Sequence, residues 1–183
     1  VDNNGNKKEQ GYNLDDEGKF VVVVNVESIK GDALLNVESK DGVFESIVIS
    51  QEDIKSTVVK NKTIENKKIE KGKPYTLNDI MFESNSSSIK ASSKIVLDEF
   101  ADWLKKKNSI NIEIQGHTDD QGSEKENLAL SIDRAFSVME YLLNKGIDKK
   151  RLKFTGFGES KPKVSNKSSM LRSINRRTDF LIF

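Results

Sequence analysis

Two oppositely charged side chains, Asp119 and Arg134, are the groups in this sequence best suited to bind a small charged molecule. Asp119 lies in the polar loop 115–122, between a run typical of a strand and a run typical of a helix. Loops at strand ends commonly carry binding groups, because the rigid elements beside them fix their position. An aspartate accepts hydrogen bonds from an ammonium group, and an arginine can grip a carboxylate through two parallel bonds. Together the two would recognise an amino acid whose head carries both charges.

The helix that carries Arg134 has polar residues in the first half of its core-facing stripe. One face of it is formed by Asn127, Ser131, Arg134, Val138 and Leu142. A desolvated guanidinium without a partner is costly, so Arg134 needs one. Two interpretations stay open on these residues alone. Asp119 and Arg134 pair with each other and hold the loop down, or they stand apart and bind a ligand.

Other reactive groups give weaker patterns. His117 is the only histidine, and with the loop aspartates it makes a poor zinc set, so we interpret it as structural. No base marks Ser131 as a nucleophile. Glu113 alternates with apolar residues and is expected to face solvent, which argues against a catalytic pair with Glu159. We therefore expect no catalytic residue, no metal and no cofactor.

Composition excludes several classes of function. The 183 residues carry 30 basic and 29 acidic side chains, and a net charge of +1 gives no electrostatic reason to bind nucleic acid. No apolar run approaches the roughly 20 residues that cross a bilayer, so we expect no membrane contact from this fragment itself. The absence of cysteine excludes disulfides and thiolate metal sites. The chain begins at Val1, which predicts a processed or trimmed piece.

The pattern of polar and apolar residues changes along the chain, and this change predicts two domains, residues 1–73 and residues 74–183. The first is polar at its start and then holds short apolar runs of strand length, at residues 20–26, 33–37, 43–49, 57–59 and 63–69. These runs predict a small all-β module that ends in a lysine-rich linker strand.

The second stretch alternates strand patterns with helix patterns. Strands are predicted at residues 75–82, 110–114, 152–157 and 178–183, and helices at residues 91–107 and 123–144. Ser123 and Glu126 have the spacing of a capping box, which favours a helix start there. A helical turn is expected at 168–173. This order predicts an α+β fold, a βαβαβ-β two-layer sandwich with two helices on one face of the sheet, preceded by the small all-β module.

Motif pieces occur in a fixed order through residues 74–183. They comprise residues 80–85, Gly116-His117-Thr118-Asp119, Asn127, Leu130-Ser131, Arg134-Ala135, Gly146-Ile147, Gly156-Phe157-Gly158-Glu159 and Asn175-Arg176-Arg177. Together these pieces resemble the OmpA C-terminal-like domain. That domain is a peptidoglycan-binding module also found in Pal lipoproteins and in the flagellar motor protein MotB.

The resemblance implies a non-enzymatic domain that binds the peptide stem of peptidoglycan, mainly through its diaminopimelate residue. The family's key pair corresponds to Asp119, which would accept from the ligand ammonium, and Arg134, which would grip its carboxylate. Further ligand contacts are implied for Asn85, Thr118, Asn127 and one arginine of the Asn-Arg-Arg piece. For that arginine we favour Arg176 over Arg177.

The resemblance also implies a periplasmic, outer-membrane-associated domain that anchors an envelope protein to the cell wall. Two alternatives stay open. The same fold could serve as an interaction or dimerisation module, which includes a homodimer, or as an accessory part of a wall hydrolase. Residues 1–70, with Gly18-Lys19-Phe20 after an acidic turn, are similar to part of a carboxypeptidase-regulatory-like β-sandwich.

Overall fold

The computed structural model describes residues 33–37, 42, 44–49 and 68–183. The chain divides into two compact units, residues 1–35 with 47–63 and residues 36–46 with 64–183. The division expected between residues 73 and 74 stays a prediction. Two of the predicted N-terminal strands are confirmed, since β1 (Ala33–Val37) and β2 (Glu45–Ile49) form a two-stranded sheet. The strands predicted at 20–26 and 57–59, and most of the one at 63–69, lie outside the described residues.

The described part of the second unit contains a four-stranded sheet. Its strands are β3 (Pro74–Leu77), β4 (Ile112–Gly116), β5 (Leu152–Gly156) and β6 (Thr178–Ile182). Their order across the sheet is β3-β6-β4-β5. Strand β6 pairs antiparallel with both β3 and β4, whereas β4 and β5 run parallel. Parallel neighbours need a crossover connection, and the helix between β4 and β5 supplies it.

Three α-helices complete the described fold: α1 (Ala91–Lys106), α2 (Glu124–Asn144) and α3 (Ser169–Asn175). A short 3-10 helix, Lys149–Arg151, leads into β5. The observed order confirms the predicted α+β two-layer sandwich. Within the described residues, no helix is long and apolar enough to span a membrane.

Both long helices pack on the same face of the sheet. Ile114 and Phe180 are partners in the β4–β6 register and are buried. The ring of Phe180 lies 4.9 Å from the ring of Phe100 on α1. Phe100 in turn stacks on Trp103 at 5.6 Å and contacts Phe44, which belongs to the same unit, at 5.2 Å. Aromatic burial of this kind dominates core energetics, so this cluster holds α1 against the sheet.

Three predicted boundaries differ from the structure. The strand expected over 75–82 ends at Leu77, because Asp79 takes a left-handed backbone with φ of 62° that an extended strand cannot continue through. The strand expected at 110–114 begins at Ile112, since the amide of Ile110 still donates to the carbonyl of Lys107 at the end of α1. The helical turn expected at 168–173 is the helix α3.

The start of α2 is confirmed in detail. Ser123 Oγ accepts from the amide of Glu126 at 3.2 Å, and Glu126 Oε2 accepts from the amide of Ser123 at 3.3 Å. This reciprocal capping box satisfies two backbone donors that a helix N-terminus otherwise leaves unpaired. It fixes where the helix begins, and therefore which helix residues face the preceding loop.

Helix α2 lies unusually close to the ends of β4 and β5. A Cβ atom placed at Gly116 would overlap the backbone oxygen of Ser131, and one at Gly156 would overlap the backbone nitrogen of Ile132. Only glycine permits this approach. It brings the first two turns of α2 directly over the strand ends that lead into the site.

Adding a methyl group at Gly116 tests this close approach. We expect Gly116→Ala to lower the free energy of unfolding by about 1–3 kcal/mol, because overpacking must push the helix away from the strand. Gly146→Ala is the matched control, since its added methyl group meets nothing and it carries only the strain of a φ of +87°, about 1 kcal/mol. Urea denaturation measures both. A Gly116 variant that loses less stability than the Gly146 variant would contradict the close packing.

Candidate functional site

The loop after β4 presents Asp119 on a backbone that is held from both sides. The amide of His117 donates to the carbonyl of Arg177 at 3.0 Å, and the amide of Thr118 donates to the carbonyl of Gly158 at 2.9 Å. These two bonds extend sheet-like pairing beyond the end of the strand. The position of Asp119 is therefore set by backbone contacts to two other segments of the chain.

The carboxylate of Asp119 is buried and has two partners. Its Oδ2 accepts from Arg176 Nη1 at 2.5 Å, and its Oδ1 accepts from the amide of Gln121 at 3.1 Å. The Asp119 side chain is 9% exposed, whereas that of Arg176 is 47% exposed. Arg134 is not paired with this carboxylate. Of the two interpretations left open by the sequence, the direct Asp119–Arg134 pair is therefore absent from the described structure.

Arg134 is held by a neutral partner instead. Its Nε donates to the carbonyl of Ser86 at 3.0 Å, and its Cζ lies 5.0 Å from the centre of the Phe82 ring. Among the described residues Nε alone finds an acceptor, so both terminal amino groups remain available. Burial lowers the pKa of Arg134, the charge of Arg176 lowers it further, and the charge of Asp119 opposes both effects. The guanidinium stays charged, and it lies within electrostatic reach of the other two groups.

The carbonyl that receives Arg134 is fixed by a tight turn. The amide of Glu83 donates to the carbonyl of Ser88 at 2.9 Å, and the amide of Ser86 donates to the carbonyl of Glu83 at 3.2 Å. Asn85 sits at the tip with a left-handed φ of 49°, a conformation that asparagine tolerates better than most residues. Asn85 is exposed on the same turn that anchors Arg134.

The polar stripe of α2 is explained by the loops that it faces. Asn127 Nδ2 donates to Glu159 Oε2 at 2.6 Å and to the carbonyl of Asp119 at 3.3 Å. Ser131 Oγ accepts from the amide of Gly158 at 2.8 Å. The stripe therefore ties the Asp119 loop and the loop after β5 to the helix, and the hydroxyl of Ser131 serves as a structural hydrogen-bonding group.

The two neighbouring arginines before β6 have different surroundings. Arg176 reaches Asp119, whereas Arg177 donates through Nε to Asp179 Oδ2 at 2.9 Å. The buried Asn175 fixes the segment, since its Oδ1 accepts from the amides of Lys163 and Val164. The structure thus brings Arg176, the arginine favoured from the sequence, to the predicted site.

Thr118 lies deeper than the other predicted site residues. Its side chain is buried, and its hydroxyl oxygen has no hydrogen-bond partner among the described residues. The ligand-binding roles of Asp119, Arg134, Asn127, Thr118, Asn85 and Arg176 stay predictions.

His117 has the surroundings of a buried structural residue. Its ring stacks on Phe157 with centroids 5.4 Å apart, and its Nε2 lies 3.4 Å from Asp179 Oδ2. Burial, aided by the charge of Arg177, lowers the pKa of His117 to about 4, although Asp179 acts in the opposite direction. The ring is therefore neutral at pH 7. Among the described residues no group of three or more histidines and acids could hold a metal ion.

Three residues that shape the site were not identified from the sequence: Glu159, Ser86 and Phe82. Glu159 belongs to the motif piece Gly156-Phe157-Gly158-Glu159, but nothing in the sequence shows that it pairs with Asn127, 32 positions earlier. Ser86 contributes a backbone carbonyl, a group that every residue has, so the sequence gives no signal for this role. The aromatic character of Phe82 was the one available signal, because arginine commonly lies over aromatic rings.

The second unit is similar in sequence to known proteins. The model of the OmpA family matches residues 81–176. The peptidoglycan-associated lipoprotein of Rhizobium meliloti (strain 1021) is 36% identical over 98 residues, which are 54% of this chain and 56% of that protein. The outer membrane porin F of Pseudomonas aeruginosa is 34% identical over 102 residues, 55% of this chain and 29% of the porin. The chain thus spans about half, or less, of the length of these relatives.

A solved structure shares the fold over the same region. The crystal structure of the peptidoglycan-associated lipoprotein from Burkholderia pseudomallei superposes with a TM-score of 0.53 and 28% identity. The match covers 58% of this chain and 98% of that one. The similarity in sequence and the similarity in structure therefore point to the same kind of domain.

The buried neutral His117 predicts a pH dependence of stability. The unfolded chain takes up this proton near pH 6.5, but the folded chain does so only near pH 4. Between these values the unfolded state binds more protons, so stability falls as the pH is lowered, by up to about 1.4 kcal/mol per pH unit from this residue. His117→Asn removes the titrating group. We expect a flatter decline in unfolding free energy for the variant between pH 6.5 and 4, measured by urea denaturation. Parallel declines would show that His117 does not titrate as described.

Proposed function

The chain belongs to the OmpA family, and on this premise we propose that it binds the stem peptide of peptidoglycan without a covalent bond, through the diaminopimelate residue. In doing so it anchors an envelope protein to the cell wall. It is a binding domain rather than an enzyme, periplasmic and associated with the outer membrane. Domains of this family anchor to peptidoglycan; the diaminopimelate contact is our proposal for this chain.

The observation that carries the proposal is the separate anchoring of two opposite charges. Asp119 and Arg134 influence each other electrostatically but do not form an ion pair. Arg134 donates only through Nε among the described residues, to the backbone of Ser86. An arginine with two free amino groups beside a buried aspartate is an arrangement that a ligand carrying both charges would complete.

The head of an amino acid fits this arrangement. Its carboxylate would accept two parallel bonds from the terminal amino groups of Arg134, the geometry in which guanidinium binds carboxylate best. Its ammonium would donate to Asp119, whose oxygens each have a second lone pair. Asn127 would hold the Asp119 loop in position, while Asn85 and Thr118 would orient the rest of the peptide. Diaminopimelate carries such a head at the end of its side chain.

The hydrolase alternative finds little support in the same contacts. A hydrolase needs a free nucleophile or a pair of free carboxylates. Ser131 Oγ is bonded to the amide of Gly158, and Glu159 Oε2 to Asn127. Glu113 accepts from Gln115 Nε2 on the same strand. A homodimer or another protein partner stays a hypothesis for this fold.

The proposal is tested by removing each charge of the pair. Asp119→Asn keeps the side-chain shape and loses the charge, whereas Arg134→Gln shortens the side chain and removes the guanidinium. Each removes a charge-assisted bond worth roughly 1.5–3 kcal/mol. We expect each to weaken binding of a soluble diaminopimelate-containing stem peptide by about tenfold or more. Isothermal titration calorimetry measures the affinity.

The matched control is Asp120→Asn, which removes the same charge from the exposed neighbouring residue and should bind like the parent. Circular dichroism verifies that each variant is folded. If both site variants are folded and bind the peptide as tightly as the parent, the assignment of Asp119 and Arg134 is wrong. Retention on purified cell wall by the parent and by Asp120→Asn, but not by the two site variants, would support the anchoring role.

A further inference from the structure

We propose that Arg176 sets the selectivity of this site, because it is paired with Asp119 and gives way only to a ligand that brings a carboxylate of its own. The inference rests on the proposed function and names the ligand class that the same site accepts. That class is a peptide with an ammonium and a carboxylate on one carbon, in preference to a peptide that offers an amine alone.

The starting point is the contact between Arg176 and Asp119. Arg176 Nη1 lies 2.5 Å from Asp119 Oδ2, in the place where the ammonium of a ligand would be expected to donate. The Arg176 guanidinium thus takes the position beside Asp119 that the ligand ammonium would take. A ligand ammonium must either displace it or share one buried carboxylate with it, and like charges around one anion repel each other.

The two partners differ in how easily they can separate. Asp119 is 9% exposed and its loop is held by backbone bonds, so it cannot follow Arg176 into water. Arg176 is 47% exposed on a segment fixed by Asn175. Its side chain can move away while its backbone stays in place. Exchange at Asp119 therefore needs only a rotation of one half-exposed side chain.

The balance of charge determines which ligands can favourably replace Arg176 at Asp119. Arg134 and Arg176 each carry a positive charge, and Asp119 carries one negative charge. A plain amine adds a third cation and leaves the displaced arginine without a partner. A ligand with a carboxylate beside its ammonium supplies a new anion to the two arginines, so the exchange conserves ion pairs. Burial is the main cause that lowers the pKa of Arg134, but the charge of Arg176 lowers it further and the charge of Asp119 raises it, which agrees with this influence among the three groups.

Glu159 is another acidic group in contact with this site. It lies within the same network, since Asn127 Nδ2 donates to both Glu159 Oε2 and the carbonyl of Asp119. Its carboxylate is already used to orient Asn127. We therefore assign the exchange to Asp119 and Arg176, and the positioning of the loop to Glu159.

The test compares two stem peptides that are identical except for the third residue, diaminopimelate in one and lysine in the other. The 183-residue chain and its Arg176→Gln variant are titrated with each by calorimetry. We expect the parent to prefer the diaminopimelate peptide by about tenfold or more. In Arg176→Gln, Asp119 is no longer occupied, so affinity for the lysine peptide should rise and the preference should shrink by about tenfold. A damaged fold cannot produce a gain in affinity.

Arg176→Lys keeps the cation and should keep most of the preference, and Lys167→Gln, which removes an exposed charge from the preceding loop, should leave it unchanged. An unchanged preference in Arg176→Gln overturns this inference and leaves the proposed function standing. A parent that binds neither peptide overturns both. A preference lost equally in Lys167→Gln and Arg176→Gln would also overturn the inference, because it would trace the effect to overall charge.

Discussion

The carboxylate of Asp119 is bonded to Arg176 and to the backbone of Gln121, while the guanidinium of Arg134 is bonded to the carbonyl of Ser86. Opposite charges near each other in a partly buried site would ordinarily pair. Here each is held by another group: Asp119 is paired with Arg176, and Arg134 keeps two terminal amino groups without an acceptor among the described residues. In the proposed function, a doubly charged ligand can bind here only because these separate anchors prevent the direct pair.

The fold supplies those anchors from segments far apart in sequence. Strand β4 delivers the Asp119 loop, the turn at Ser86 holds Arg134, and the segment after α3 delivers Arg176. The glycine at position 116 lets α2 approach the strand end, which places the polar stripe of the helix over the loops. The positions normally used for core packing are thus used to fix loop geometry, and the apolar second half of the helix retains the packing role.

Periodicity and capping signals predicted the helices, the strand order along the chain and the two-layer sandwich well. The short motif pieces predicted Asp119, Arg134 and Arg176 as site residues, and the structure brings Arg176 to Asp119; their ligand-binding roles stay predictions. The sequence could not predict which groups hold the charged side chains in place. The bond between Arg176 and Asp119 joins residues 57 positions apart, and the bond between Arg134 and Ser86 joins residues 48 positions apart. The early end of β3 was also hidden, since Asp79 gives no strong sign of its left-handed backbone. The contacts of Arg176 and Arg134 depend on which residues lie close together in three dimensions, and residue type alone does not reveal this.

The most direct measurement is a crystal structure of the chain with a diaminopimelate-containing stem peptide bound. The account predicts the ligand ammonium within hydrogen-bond distance of Asp119 and the adjacent carboxylate on the terminal amino groups of Arg134. It also predicts that Arg176 has left Asp119 for a ligand carboxylate. A structure in which Asp119 and Arg134 pair directly, or in which the peptide binds elsewhere while Arg176 keeps its bond to Asp119, would contradict it.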